Sequence, residues 1–334
     1  MAVIKDVAKL AGVSPSAVSK YLRTPQNMRA DTRERIRAAI ETLHYQPSQL
    51  AKSLRTGRSG MIAITIPEID NPYFSDVFSF FQSLCSNNDL VPVMLRTNTP
   101  AELERTATVL NAGFLDGAIC YDAGEAGKLF TDRTMRIPLV YMGPLTDAPV
   151  RQSVSVDLRT GMEELCRHLT ARGARRIGYI GPYDDASSRQ KFAAIRAYCD
   201  GGALTLDESL IYPHCYGYDG GYESCTRMLN SGKALPDAII AEADMIATGV
   251  LKCLVEHGVR VPDDILLSGY DNTAISQMTS PALTTIHIPS LEMCAQALRI
   301  LLAQLDGESA ADADSRIFFK TQLIARASTG NCAG

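Results

Sequence analysis

The sequence predicts an α/β protein, with a three-helix head, a short linker and two Rossmann-like subdomains in series. Three observations carry this. The first 45 residues hold helical apolar spacing and helix caps. From Gly60 onward, short apolar runs alternate with amphipathic stretches. That alternation then restarts in the same order in the second half of the chain, which implies parallel sheets with right-handed crossovers.

In the head, Ile4, Val7, Ala8 and Ala11 fall on one helical face. Gly12 permits a tight turn, Val13 anchors it, Ser14 is an N-cap and Pro15 suits the first helical position. A third helix is expected from Asp31 as cap with Glu34 three residues later, its apolar face being Ile36, Ala39, Ile40 and Leu43. After Pro47, SQLAKSLRTGRSG mixes helix formers with a basic, Gly/Ser-rich end, as in a linker of conditional helicity.

The body begins with MIAITIP as a strand and an amphipathic stretch from Pro72 to about Cys85. LVPVML, LDGAICY and PLVYMG are further strands, with a helical pattern between the first two. In the second half RRIGYIGP, PDAIIAE and DDILLSGYDN are strands, alternating with the helices SSRQKFAAIRAY and MIATGVLKCLVEHG. One more helix, from about Ser290 to Leu305, and the strands RIFFK and QLIAR complete the unit.

The formal net charge of −4 hides a split. Residues 1–60 carry eleven Lys/Arg against four Asp/Glu, a formal +7, which leaves −11 for the rest. A basic head on an acidic body is expected where one end meets a polyanion. Nine scattered cysteines without ligand spacing read as reduced core thiols of a cytoplasmic protein. No segment approaches the roughly 18 consecutive apolar residues of a membrane span. MAVIKDVAKLAG carries Lys5, Asp6 and Lys9, so it does not read as a signal peptide. No dinucleotide fingerprint, P-loop, metal pattern or catalytic triad emerges, so no cofactor, metal or enzymatic turnover is expected.

AGVSPSAVSKYL reads as a helix-turn-helix whose second helix enters the major groove of DNA. Ser14, Ser16, Ala17 and Lys20 lie near its N-terminus; Lys20 can donate to guanine and the Ala17 methyl can meet thymine. Tyr21 fits either the head's core or the groove.

IKDVAKLAGVSPSAVSKYL and DTRERIRAAIETLHYQPSQLAKSLRTGRSG resemble the LacI/GalR family of bacterial repressors. The resemblance runs on through IPEIDNPYF, LDGAI, RRIGYIGP, VPDDILLSGYDN and TSPALTTIHIP. It implies a helix-turn-helix domain at 1–46, a hinge helix and linker at 47–59, and an effector-binding, dimerising domain of the periplasmic-binding-protein type at 60–334. Within the last, the N-subdomain would take about 60–159 and 290–319, and the C-subdomain about 160–289 and 320–330. It further implies a homodimer on two-fold operator DNA, with no membrane partner. Leu54 would be a minor-groove wedge with Arg55 as its basic neighbour, while the sequence alone also fits a plain flexible tether.

Family positions for a small-molecule effector, a sugar or acidic metabolite, fall on Arg189, Lys191, Asp244 and Asp271. Tyr73 and Phe74 offer stacking surface beside them. Tyr73 and Phe74 fit the core equally well, and Asp244 and Asp271 also fit helix caps. The basic pair with aromatics favours an acidic ligand. Departures stand out. The usual T-V-S-R-V-L-N reads A-V-S-K-Y-L-R, so Ala17, Lys20, Tyr21 and Arg23 point to an altered operator. Lys191 replaces an Arg, and Ala243 an Asn. The reading is a ligand-controlled transcriptional regulator, most simply a repressor; the alternative is the solute-binding protein of a transporter.

Overall fold

The computed structural model describes residues 2–46, 53, 57–121, 129–131, 134–144, 151–182, 186–307 and 315–330. The chain divides into two compact units, Met1–Gly60 and Met61–Gly334.

In the first unit, α1 (Ile4–Ala11), α2 (Pro15–Arg23) and α3 (Ala30–Thr42) close on Val7, Ala8, Ala11, Val18, Ile36 and Ala39. Ser14 caps α2, its Oγ accepting from the Ala17 N–H at 3.2 Å. Gly12 takes φ 64°, a left-handed value that costs glycine least. The Arg35 guanidinium donates to the Ala11 carbonyl at 3.2 Å, fastening α3 across that turn. One expectation is corrected. The cap of α3 is Arg29, not Asp31, because the helix starts two residues earlier, at Ala30. Asp31 instead sits in the first turn, where a negative charge suits the helix dipole, 3.4 Å from Arg35. Glu34 pairs with Arg37 rather than closing a capping box.

The second unit holds two parallel sheets. β1 (Met61–Ile66), β2 (Val91–Arg96), β3 (Gly117–Tyr121), β4 (Leu139–Pro144), β5 (Gln152–Asp157) and β11 (Ser315–Lys320) form one, in the order β11-β5-β4-β3-β1-β2. β6 (Arg176–Ile180), β7 (Thr205–Tyr212), β8 (Ala238–Ala241) and β9 (Leu266–Ser268) form the other, in the order β7-β6-β8-β9. β3, β4 and β8 are buried throughout, as strands covered on both faces must be, which is why they read as continuous apolar runs. A two-stranded antiparallel ribbon pairs β10 (Thr285–His287) with β12 (Gln322–Ile324). The chain passes between the two sheets three times: after β5, between β9 and the helix Ser290–Leu305, and again after β11.

The strand expected over 263–272 shrinks to Leu266–Ser268. Its first residues are spent on a turn, in which the Asp264 carboxylate accepts from the Arg260 backbone at 2.8 Å and from its guanidinium at 2.6 Å. The helices Leu158–Ala171 and Gly217–Leu229 and the strands β5, β7 and β10, which the apolar pattern did not announce, are also present. QSVSVD (β5) alternates with serines, and β7 buries only Leu210 fully. The helix Gly217–Leu229 carries three glycines, which ordinarily argue against a helix. The reason is packing. A Cβ on Gly221 would stand 2.2 Å from the Ile246 carbonyl, and one on Gly249 would stand 2.0 Å from the Tyr218 carbonyl. Gly217–Leu229 and Asp244–Glu256 therefore meet backbone to backbone.

The eight described cysteines are free thiols and seven are buried. Among the described residues, no helix is long and apolar enough to cross a membrane.

Candidate functional sites

On the head, α2 turns Val18 into the core and packs Tyr21 against it. Ser14, Ser16 and Lys20 are left exposed, with Ala17 half-buried. The Ser14 and Ser16 hydroxyls lie 2.8 Å apart, so two donor–acceptor groups mark the start of the helix and a cation follows one turn later. That exposed face has the form of a groove reader. Leu54 and Arg55 lie outside the described residues, as do 47–52.

In the body, a polar cluster gathers beyond the carboxyl ends of the parallel strands, where open α/β sheets bind ligands. From the first lobe come Asn71, Tyr73 and Phe74 after β1, and Tyr121 at the end of β3. The second lobe supplies Ser188 and Lys191 on the helix Ala186–Asp200 after β6, with Glu242 and Asp244 after β8 and Tyr270 and Asp271 after β9.

Asn71 caps its helix, Oδ1 accepting from the Tyr73 N–H at 3.0 Å. From across the cleft the same side chain favours the charged form of the Asp271 carboxyl. Tyr73 is buried and accepts from the Tyr121 hydroxyl at 3.1 Å. Phe74 is half-buried and makes edge contacts with both rings, at 5.1 Å and 5.0 Å between centroids.

Asp271 sits at φ 103° and Asn272 at φ 55°, both uncommon for residues with a Cβ. Asp244 over-determines this turn. Fully buried, it accepts from the Thr273 N–H at 2.7 Å and the Thr285 hydroxyl at 2.6 Å. Gly269 makes room, since a Cβ there would lie 2.4 Å from Asp244 Oδ1. Arg326 donates to Asn272 Oδ1 at 2.6 Å. Burial pushes the Asp244 carboxyl up to about 6 against those hydrogen bonds. Burial also drives Asp271 well above the usual carboxylate range, opposed by the Lys191 cation.

Lys191 is buried, its ammonium donating to Glu242 at 3.3 Å and lying 4.1 Å from the centre of the Tyr270 ring. Glu242 also accepts from the Ser188 hydroxyl at 2.7 Å and from Tyr179. Arg189, two residues before Lys191, is exposed. A two-residue step turns a helix by about 200°, so the two cations point apart.

Of the residues singled out in sequence, Tyr73, Phe74, Lys191, Asp244 and Asp271 fall in one cluster and Arg189 outside it. Asn71, Ser188, Glu242 and Tyr270 lie in the same stretches of chain but carry no role in the sequence reading, and Tyr121 and Tyr179 lie outside those stretches. One signal was available: in PDAIIAE, an acid closes a strand that is otherwise apolar. Among the described residues, no group of three or more His, Cys, Asp or Glu side chains is placed to hold a metal.

Residues 3–48 match the family of bacterial regulatory proteins of the lacI type, and residues 166–329 match a periplasmic binding protein-like domain. The HTH-type transcriptional repressor PurR of Haemophilus influenzae (strain PittEE) is 30% identical over 335 residues, covering 98% of each chain. The chain belongs to the LacI family. Its fold is shared with a lac repressor dimer bound to operator and the anti-inducer ONPF (TM-score 0.83, 23% identity, 99% of each chain). A transcriptional regulator CelR–cellobiose complex is similar as well (TM-score 0.70, 24% identity, covering 98% of this chain and 100% of that one). This LacI-family member is a DNA-binding transcriptional regulator of the repressor type, and the transporter alternative is set aside.

Proposed function

We propose that this repressor reads operator DNA through Ser14, Ser16, Ala17 and Lys20 of α2, and that a small molecule in the body's cleft decides when it does so. The observation that carries the second half is the facing of Asn71 and Asp271, side chains of the two lobes that interact at the strand ends. A ligand seated there competes for the groups that tie the lobes together, so it binds open and closed arrangements unequally. Such differential affinity is what shifts a two-state equilibrium.

Lys191, Asp271 and the open face of Phe74 supply the contacts in this reading, with Arg189 at the rim. Tyr73 lies behind Phe74 as support. Asp244 acts one step back, fixing the left-handed turn that presents Asp271. Two copies act together on a two-fold operator, as fits the dimeric lac repressor relative. Leu54 and Arg55 serve at the minor groove. The protein works in the cytoplasm, and its role is binding rather than turnover.

Fluorescence anisotropy of the full chain on DNA from its own promoter tests this. A specific complex whose affinity falls steeply with salt and shifts on ligand addition is expected. Absence of any sequence-specific, salt-sensitive complex overturns it.

A further inference from the structure

We propose that Glu242 is the specificity determinant of the cleft: it claims Lys191 as its own counter-ion, and so commits the site to uncharged, hydroxyl-bearing ligands rather than carboxylates or phosphates. This rests on the effector reading above and sharpens it, reversing the acidic-ligand preference that the Arg189–Lys191 pair suggests in sequence.

The charge balance comes first. Among the described residues of the cluster, the buried charged side chains are Glu242, Asp244 and Lys191, with Asp271 half-buried at the cleft and Arg326 half-buried behind. Arg326 is committed to Asn272, to Ser276 and to the Leu283 carbonyl. Lys191 is committed to Glu242 at 3.3 Å, with both side chains less than a tenth exposed. Arg189 stands outside, exposed. The buried site therefore offers acids in excess and no surplus cation.

The local design deepens the commitment. Glu242 is held on both oxygens, by the Ser188 hydroxyl at 2.7 Å on one and by Tyr179 on the other, so it cannot swing away from Lys191. A Cβ on Gly181 would lie 2.5 Å from Glu242 Cβ, so the strand end is hollowed to admit this side chain. An anion entering the site would have to take Lys191 from Glu242 and leave a buried carboxylate uncompensated, which is strongly unfavourable. A hydroxyl has no such conflict. It can donate to the Asp271 carboxylate, and it can accept from Lys191, whose ammonium has three donors. It can also pair with the Tyr270 hydroxyl, which is buried and has no hydrogen-bond partner among the described residues.

The test is calorimetric and thermal-shift titration of the full chain against matched probes. These are glucose, cellobiose and ribose on one side, and glucuronate, gluconate, glucose 6-phosphate and ribose 5-phosphate on the other. Wild type is expected to bind an uncharged probe at least about tenfold more tightly than its acid or phosphate counterpart. E242Q keeps an acceptor for Ser188 and releases Lys191, so the counterpart should gain about tenfold. The double variant E242Q/K191M, which buries no unpaired charge, should bind the uncharged probe more weakly for want of the Lys191 donor and show no gain for its charged counterpart.

Tighter binding of the charged counterpart by wild type overturns the proposal while leaving the effector reading intact. So does a folded E242Q without the gain. Should E242Q not fold, the wild-type ranking and the double variant decide alone. If no probe of either class binds any of the three proteins, the effector reading itself fails.

Discussion

The Lys191 ammonium lies 3.3 Å from the Glu242 carboxylate, with both side chains less than a tenth exposed. Breaking a buried pair from one side strands the other charge, typically at about 3–5 kcal/mol, while removing both is far milder. K191M should therefore lower the urea midpoint of the body sharply, and K191M/E242Q should recover most of the loss. A double variant no more stable than K191M would show that the two charges are not energetically coupled.

Asp244 gives a pH signature. An aspartate that titrates near 3.8 in the unfolded chain is pushed to about 6 in the fold. Between those values the native state holds a proton that the unfolded state has released. Its contribution to stability is full below the lower value and falls as pH rises through the upper one. D244N should flatten the melting temperature of the body between pH 4 and 6.5 relative to wild type. It should also lower it throughout, because the amide has one acceptor oxygen where the carboxylate has two and so gives up a buried hydrogen bond from Thr273 or Thr285, a loss of about 1–3 kcal/mol. A D244N profile parallel to wild type would refute the assignment.

At Asp271 the backbone and the carboxylate can be separated. D271G relieves a φ of 103° at no Cβ cost, so the fold should survive within about 1 kcal/mol. Ligand response in the anisotropy assay should nevertheless vanish. Retention of full ligand response in D271G would remove Asp271 from the cleft's contacts.

Lys20 and Tyr21 are neighbours in sequence with opposite surroundings. K20A should weaken operator binding by about 1–3 kcal/mol with no change in the head's stability. Y21A should destabilise the head by about 1–3 kcal/mol, because the half-buried ring packs against the core, a loss visible by circular dichroism without DNA.

G249A tests the backbone contact between Gly217–Leu229 and Asp244–Glu256. A methyl 2.0 Å from the Tyr218 carbonyl cannot be accommodated without moving a helix. A lower denaturation midpoint is expected, by about 1–3 kcal/mol. An unchanged midpoint would mean the helices slide apart freely.

Much of this was legible in the chain, because one signal sufficed for each element. Met61–Ile66 is apolar but for Thr65, Gly117–Tyr121 is a continuous apolar run, and Ser290–Leu305 keeps a helical stripe along its whole length. Gly217–Leu229 was not legible, since its glycines serve a partner helix that local pattern cannot reveal. The site divided the same way. Asp271 and Lys191 fall at positions that the family resemblance names. Glu242 acquires its meaning only through Tyr179 and Ser188, 63 and 54 residues away. Such pairings depend on which strands become neighbours, and that is a property of topology.

The three passages of chain between the two sheets bear on inheritance. The lobe built on β1–β5 is completed by residues 290–320, so its gene segment is interrupted by the whole of the other lobe. One recombination event near Gly60 can give this body a different operator reader. No single event can exchange one lobe for another. Across a population of genes, the DNA address is a part that trades freely, while the two walls of the cleft descend together.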